Sequence, residues 1–207
     1  VLISKHLHIF FAFPSTYYAN INKLGQFDNL DNVTKEVKLM LDPNADPFAN
    51  SPSDNQAGNS LFGARDATDL NWVQLLNAYS CTECGRCSSV CPANQTGKLL
   101  SPRKIMMDTR DRIEVIGNSK EQDNNYLLGN YITNEELWAC TTCNACTDAC
   151  PINLDPLSII VDLRRYLVME ESAAPTELNN MFSNVENNGA PWQFPAADRL
   201  KWLDEKN

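Results

Sequence analysis

Eight cysteines, none of them scattered, constrain this 207-residue chain more than any other feature. Cys81, Cys84, Cys87 and Cys91 form one group, and Cys140, Cys143, Cys146 and Cys150 form the other. Each group reads C-x2-C-x2-C-x3-C-P, closed by Pro92 or Pro151, and the two begin 59 residues apart. CTECGRCSSVCP and CTTCNACTDACP also share the Thr after the first cysteine. A ligand loop has been duplicated; two copies do not make a solenoid.

Three chemistries compete for such thiols. Disulfide frameworks suit small secreted domains and do not favour thiols three residues apart. Zinc sites combine two short ligand pairs across a longer loop, often with His. Here one seven-residue loop offers three thiolates, and a fourth follows after x3 and is closed by Pro. That is the bacterial-type pattern for 4Fe–4S clusters.

A cube offers four iron corners. A tight loop wraps three of them and cannot also reach the fourth. In two-cluster ferredoxins the fourth cysteine of each motif ligates the other cluster. The spacing therefore predicts two 4Fe–4S clusters with crossed ligands. Cys81, Cys84, Cys87 and Cys150 would hold cluster one; Cys140, Cys143, Cys146 and Cys91 would hold cluster two. Crossing requires the motifs to pack together about a pseudo-twofold axis. Cations tune such clusters upward in potential. The candidates are Arg86, Lys98, Arg103 and Lys104 near cluster two, with Arg164 and Arg165 on a later helix. Trp72 and Trp138, a few residues before the motifs, read as core packing or as screens against water.

The rest of the composition excludes more than it assigns. A net charge of −9 disfavours a basic nucleic-acid face. The longest apolar run, Ile9–Phe13, has five residues against the ~20 of a membrane-spanning helix. No G-x-G-x-x-G or Walker loop is present, and both histidines, His6 and His8, lie near the start, far from any Ser/His/acid set. The first residue is Val1, which fits a processed chain or part of a longer polypeptide.

Helix signals frame the motifs. An apolar opening runs into Pro14, and Val33, Val37 and Leu41 recur at spacing four. Residues 42–60 are rich in Pro, Asn, Asp, Ser and Gly and read as a loop or arm lying on a partner. Thr68 or Asp69 is expected to cap a helix carrying Leu70, Val73, Leu75 and Leu76. Ser101–Pro102 and Asp155–Pro156 repeat a cap-plus-Pro device. The first opens a helix through Ile105, Met106 and Ile113, with Gly117 at its end; the second opens one through Leu157, Ile160 and Leu167. Thr133-x-x-Glu136 is a capping box. Leu178, Met181, Phe182 and Val185 have helical spacing, and Gly189 is the stop. The expected class is mainly α with long irregular N- and C-terminal extensions. Its parts would be an N-terminal membrane-proximal or partner-binding arm (1–66), a dicluster domain (67–172), and a C-terminal helix and tail (173–207).

The stretches LLNAYSCTECGRCSSVCPANQTGKLLSPRKIMM and CTTCNACTDACPINLDPLSIIVDLRRYLVMEES resemble the two-cluster domain of heterodisulfide-reductase-type iron–sulfur subunits, with the anaerobic glycerol-3-phosphate dehydrogenase iron–sulfur subunit among the relatives. The tail NVENNGAPWQFPAADRLKWL looks like the segment that leads into cysteine-rich catalytic domains in membrane-bound relatives. The opening SKHLHIFFAFP is similar to the end of the last transmembrane helix of a nitrate-reductase cytochrome b subunit. That likeness implies a haem-ligand role for His8 where upstream helices exist. What the resemblance implies is an α-helical ferredoxin fold with two 4Fe–4S clusters, and electron transfer within a membrane-associated respiratory oxidoreductase on the cytoplasmic face of the inner membrane. The partners would be a flavoprotein, cysteine-rich domains and a cytochrome b or quinone membrane module. The rival is a soluble dicluster ferredoxin that diffuses between reductases, its acidic surface steering the docking. No catalytic residue stands out in the chain itself.

Overall fold

The computed structural model describes residues 6–22, 25–26, 29–42, 62–118 and 124–204. Most of the 42–60 stretch lies outside these. The protein is mainly helical, and the described residues contain one isolated bridge, Leu128 to Ile132, in place of any sheet. It divides into two compact units, residues 1–170 and 171–207.

In the first unit, α1 (Leu7–Tyr17) and α2 (Asp31–Leu41) precede α3 (Trp72–Ser80), which ends one residue before Cys81. The first motif carries two single-turn helices, α4 (Arg86–Ser89) and α5 (Pro92–Gln95), and leads into α6 (Pro102–Asn118). Next come α7 (Asn134–Trp138), then α8 (Ala145–Asp148) inside the second motif, then α9 (Pro156–Met169). The core lies between α3, α6 and α9, where Leu100, Ile105, Met106, Leu137, Ile159, Ile160, Leu163 and Leu167 are fully buried.

Local signals explain most helix starts. Ser101 caps α6, its hydroxyl accepting the Lys104 amide at 3.4 Å, and α6 closes at Asn118, one residue past Gly117. Asp155 caps α9 by accepting the Leu157 and Ser158 amides at 3.0 and 3.1 Å. Thr133 and Glu136 form the expected reciprocal box at α7. One cap is displaced. Thr68 and Asp69 do not start α3; they belong to a 3-10 turn, Ala67–Asp69, capped by Asp66, and Leu70 after it is extended. Asn71 caps α3 in a reciprocal pair with Gln74. The Asn-x-x-Gln signal was in the sequence, but Thr68 and Asp69 offered an equally polar alternative nearby.

The second displacement is α1, which continues through Pro14 to Tyr17. Proline removes one ladder bond and normally ends a helix. Here packing on α3 outweighs it: Ser15 is fully buried and donates to Asn77 Oδ1 at 2.8 Å, and the Phe11 and Tyr79 rings meet edge-on at 5.9 Å. Ile9, Phe10, Phe13 and Tyr17 stay on the exposed side.

The segment entering the 3-10 turn lies against α9. The Ala64 amide donates to the Asp162 carbonyl at 3.0 Å. Gly63 sits at φ +102°, and a Cβ there would strike the Asp162 carbonyl oxygen and the Tyr166 amide nitrogen. Gly63→Ala is therefore expected to cost at least ~1–3 kcal/mol of stability, read as a lower Tm of the cluster-loaded protein; an unchanged Tm would show that the segment can leave α9 freely.

The second unit holds α10 (Thr176–Asn188), a 3-10 turn at Ala196–Leu200, and α11 (Lys201–Asp204). Gly189 at φ +63° ends α10 as its position predicts, and Arg199 Nη2 donates to the Asn188 carbonyl at 2.5 Å.

Candidate metal centre

The duplication seen in the cysteines extends to the backbone between them. Glu83 and Thr142, each two residues after the first cysteine, adopt φ of +57° and +55°. Gly85 and Asn144, two residues further on, adopt +80° and +60°. A β-branched Thr at positive φ is costly, so the loop geometry overrides residue preference. What that geometry achieves is visible at sulfur. The Thr142 amide reaches Cys140 Sγ at 3.4 Å, and the Glu83 amide bonds Cys81 in the same way.

The residue after the third cysteine is also duplicated in role. Ser88 bonds Cys87 and shares a 2.8 Å hydroxyl contact with Ser101, the cap of α6. Thr147 bonds Cys146 and donates to Asp155, the cap of α9, at 3.2 Å. Each motif is thus tied to the start of the helix that follows it, and α4 packs against α8 across the pseudo-symmetric pair. Neither link was singled out from sequence; the signal was the hydroxyl residue in both copies. Arg110 on α6 further pins the first loop through Glu83, at 2.7 Å.

The thiols gather into two sets that cross the motifs. Cys150 acts electrostatically on Cys81 and Cys87, and Cys91 acts on Cys140. Cys81, Cys84, Cys87 and Cys150, joined by Cys146 of the other set, line one cavity of about 270 Å³. Arg86 and Arg103 line it too, so these two cations stand at the first set of thiols rather than the second. His8, Ile9, Ala12 and Phe13 of α1 form one wall. Cys84 and Cys143 are exposed, whereas Cys91 and Cys146 are buried. Of the remaining cations, Lys104 pairs with Asp108 and Glu136 at 2.7 and 2.8 Å, and Arg165 pairs with Asp162 at 3.0 Å. Trp72 is more than half exposed with its ring edge-on to Tyr18, while Trp138 lies under Arg164 at 4.9 Å.

This donor set suits a polynuclear cation. Burial pushes the Cys81, Cys87, Cys140 and Cys146 thiols up, Cys146 to about 12, and neighbouring thiols add to the rise. Such sulfurs ionise together only when a metal takes their charge. Among the described residues, no three His, Cys, Asp or Glu side chains converge as a single-ion site does. A lone zinc draws its thiolates to ~2.3 Å from one centre. A cube takes one thiolate at each of four metal corners, which are farther apart, and two sets of four thiols supply that number.

Comparison with known proteins agrees with the geometry. Residues 77–154 match the family model of the 4Fe-4S dicluster domain. The protein therefore carries two 4Fe–4S clusters, and its chemistry is iron–sulfur electron transfer. Over 237 aligned positions the chain is 30% identical to the probable iron-sulfur-binding oxidoreductase FadF of Bacillus subtilis, covering 98% of this chain and 30% of that protein. It is 32% identical over 186 positions to the EtfAB:quinone oxidoreductase of Syntrophomonas wolfei, covering 78% and 26%. Over 101 positions it is 33% identical to a component of the ferredoxin/F(420)H(2)-dependent CoB-CoM heterodisulfide reductase of Methanosarcina acetivorans, covering 48% and 52%. The chain spans less than a third of the first two proteins and about half of the third.

Proposed function

We propose that this chain conducts electrons inside a membrane-associated respiratory oxidoreductase, between a flavin- or thiol-active partner and a quinone- or haem-bearing membrane module. Cys81, Cys84, Cys87 and Cys150 hold one cluster, and Cys140, Cys143, Cys146 and Cys91 hold the other. When bound, these groups supply one-electron carrier chemistry. The protein's part is to hold them side by side and to control water and charge around them.

The observation that carries the reading is the wall formed by α1. It closes one side of the cavity at the first thiol set through His8, Ile9 and Phe13. Phe13 itself remains 77% exposed, and Phe10 and Tyr17, three residues before it and four after it on the helix, are 63% and 81% exposed. A contiguous apolar surface next to a redox centre marks where a partner or a membrane module covers it. Among the described residues no helix is long and apolar enough to cross a membrane, so contact with the membrane module would be made at this surface or through other parts of the protein. The quinone named for the Syntrophomonas relative supports the acceptor side of the scheme. The exposed Cys84 and Cys143 put an edge of each cluster within reach of a docking redox partner.

Anaerobic purification of the native protein in mild detergent tests this. About eight iron per chain, paired EPR signals after reduction, and stable co-purifying redox subunits or domains are expected. A monomer that holds both clusters, needs no detergent and retains no partner would identify a diffusing ferredoxin instead. Colourless protein would remove the electron-transfer reading altogether.

A further inference from the structure

A half-buried arginine without a carboxylate beside it stands at the second thiol set. Arg164 on α9 donates through Nε and Nη2 to the Leu137 carbonyl at 3.1 and 2.6 Å, and through Nη2 to the Cys140 carbonyl at 2.6 Å. Its guanidinium also lies over the Trp138 ring at 4.9 Å. These contacts fix its position but neutralise no charge. The cations around it differ. Arg165, one residue on, is paired with Asp162. Lys104 is shared between Asp108 and Glu136, and Arg112 is closed against Asp66. Arg86 and Arg103 stand at the other set of thiols and are exposed, where water and salt screen them.

Among the described residues Arg164 forms no ion pair. A cation held out of water without a counter-charge is costly unless an anion belongs there. The anion at hand is the second thiol set: the charge of Arg164 acts on the Cys140 sulfur.

The structure assigns Arg164 as the fixed counter-charge of the cluster held by Cys140, Cys143, Cys146 and Cys91, raising that cluster's reduction potential above the value its thiolates alone would set. The inference rests on the function proposed above. Its physical basis is simple. Reduction adds one negative charge to an already anionic cluster, and a nearby, partly desolvated cation favours the more negative state. Arg164 makes no contact with sulfur, so it acts as a positioning residue and a charge. Its fork to two carbonyls also orients the backbone at Cys140.

EPR-monitored redox titration of the full-length, anaerobically loaded protein decides the matter. Arg164→Gln is expected to lower the midpoint of the second cluster by about tenfold in its reduction equilibrium, ~59 mV for a one-electron couple, and to leave the first cluster in place. Arg164→Lys, which keeps the charge and gives up the fork, should retain most of the wild-type potential. Arg165→Gln, whose charge is already matched by Asp162, should shift it little. An unchanged midpoint in Arg164→Gln with eight iron retained would overturn the assignment. If that variant loses iron, Arg164→Lys decides alone: a midpoint that falls as far despite the retained charge refutes the role. Absence of iron in the wild type would instead defeat the underlying function, so the two failures are separable.

Discussion

Cys91→Ser should lower the iron content from about eight to about four per chain and abolish the signal of the second cluster. Cys91 lies in the first motif, yet its sulfur is buried beside Cys140 of the second. It is held there by an extended backbone just before Pro92 and the turn of α5. Proline keeps the preceding residue out of the helix, so the thiol leaves its own loop and crosses to its neighbour. Double variants tell crossed from uncrossed ligation. If the ligands cross, Cys91→Ser with Cys140→Ser removes no more iron than either alone, because both strike one cluster. Cys91→Ser with Cys81→Ser empties the protein. Uncrossed ligation gives the reverse pattern, and non-additivity of this kind is what double variants measure.

Asp66→Ala should be the most damaging change away from the clusters. Asp66 and Arg112 are buried together, with Arg112 Nε and Nη2 donating to the two carboxylate oxygens at 2.8 and 2.7 Å. The same carboxylate accepts the Ala67 and Leu127 amides at 2.8 and 3.0 Å. It therefore joins three segments: the turn before α3, the middle of α6, and the chain returning to α7. Its removal takes the carboxylate from a buried guanidinium and the acceptor from two amides, for a loss of ~3–5 kcal/mol. In a chain of this size that corresponds to a Tm lower by roughly 6–20 °C. Adding Arg112→Met should recover part of the loss by removing a buried charge that has lost its carboxylate. A Tm within 2–4 °C of wild type, about 1 kcal/mol, would show that water reaches the pair.

The same pair has a pH signature. Burial alone would raise the Asp66 carboxyl, but hydrogen bonds from Arg112, Ala67 and Leu127 prevail and hold it below the usual carboxylate range. A depressed folded-state pKa contributes stability that is fully present above the unfolded value, ~3.9 for Asp, and that fades as pH falls through the lowered one. Part of the acid sensitivity of the scaffold should therefore disappear in Asp66→Asn.

What could be read from sequence was whatever is local. The cysteine spacing, the Ser101 and Asp155 caps and the Thr133 box each declare themselves within a few residues. The Asp66–Arg112 pair spans 46 positions and has no local mark. The continuation of α1 past Pro14 depends on Asn77 and Tyr79, more than sixty residues away. Arg164 stood in the sequence among six candidate cations; only folding separates the half-buried one without a carboxylate from its paired neighbour Arg165. Thr142 at positive φ follows from no residue preference and makes sense only beside the sulfur that its amide faces.

Those left-handed positions also bear on biogenesis. The helices α3, α6 and α9 share an apolar core, with Cys91 in it and Cys81, Cys140 and Cys150 packed against it. The loops that carry the thiols are wound against residue preference at Glu83 and Thr142. Cluster assembly therefore has to secure two wound loops whose outermost thiols, Cys84 and Cys143, are their fingertips. Maturation then becomes a matter of delivery to those fingertips before oxygen finds them, and the inorganic cargo is what closes the grip.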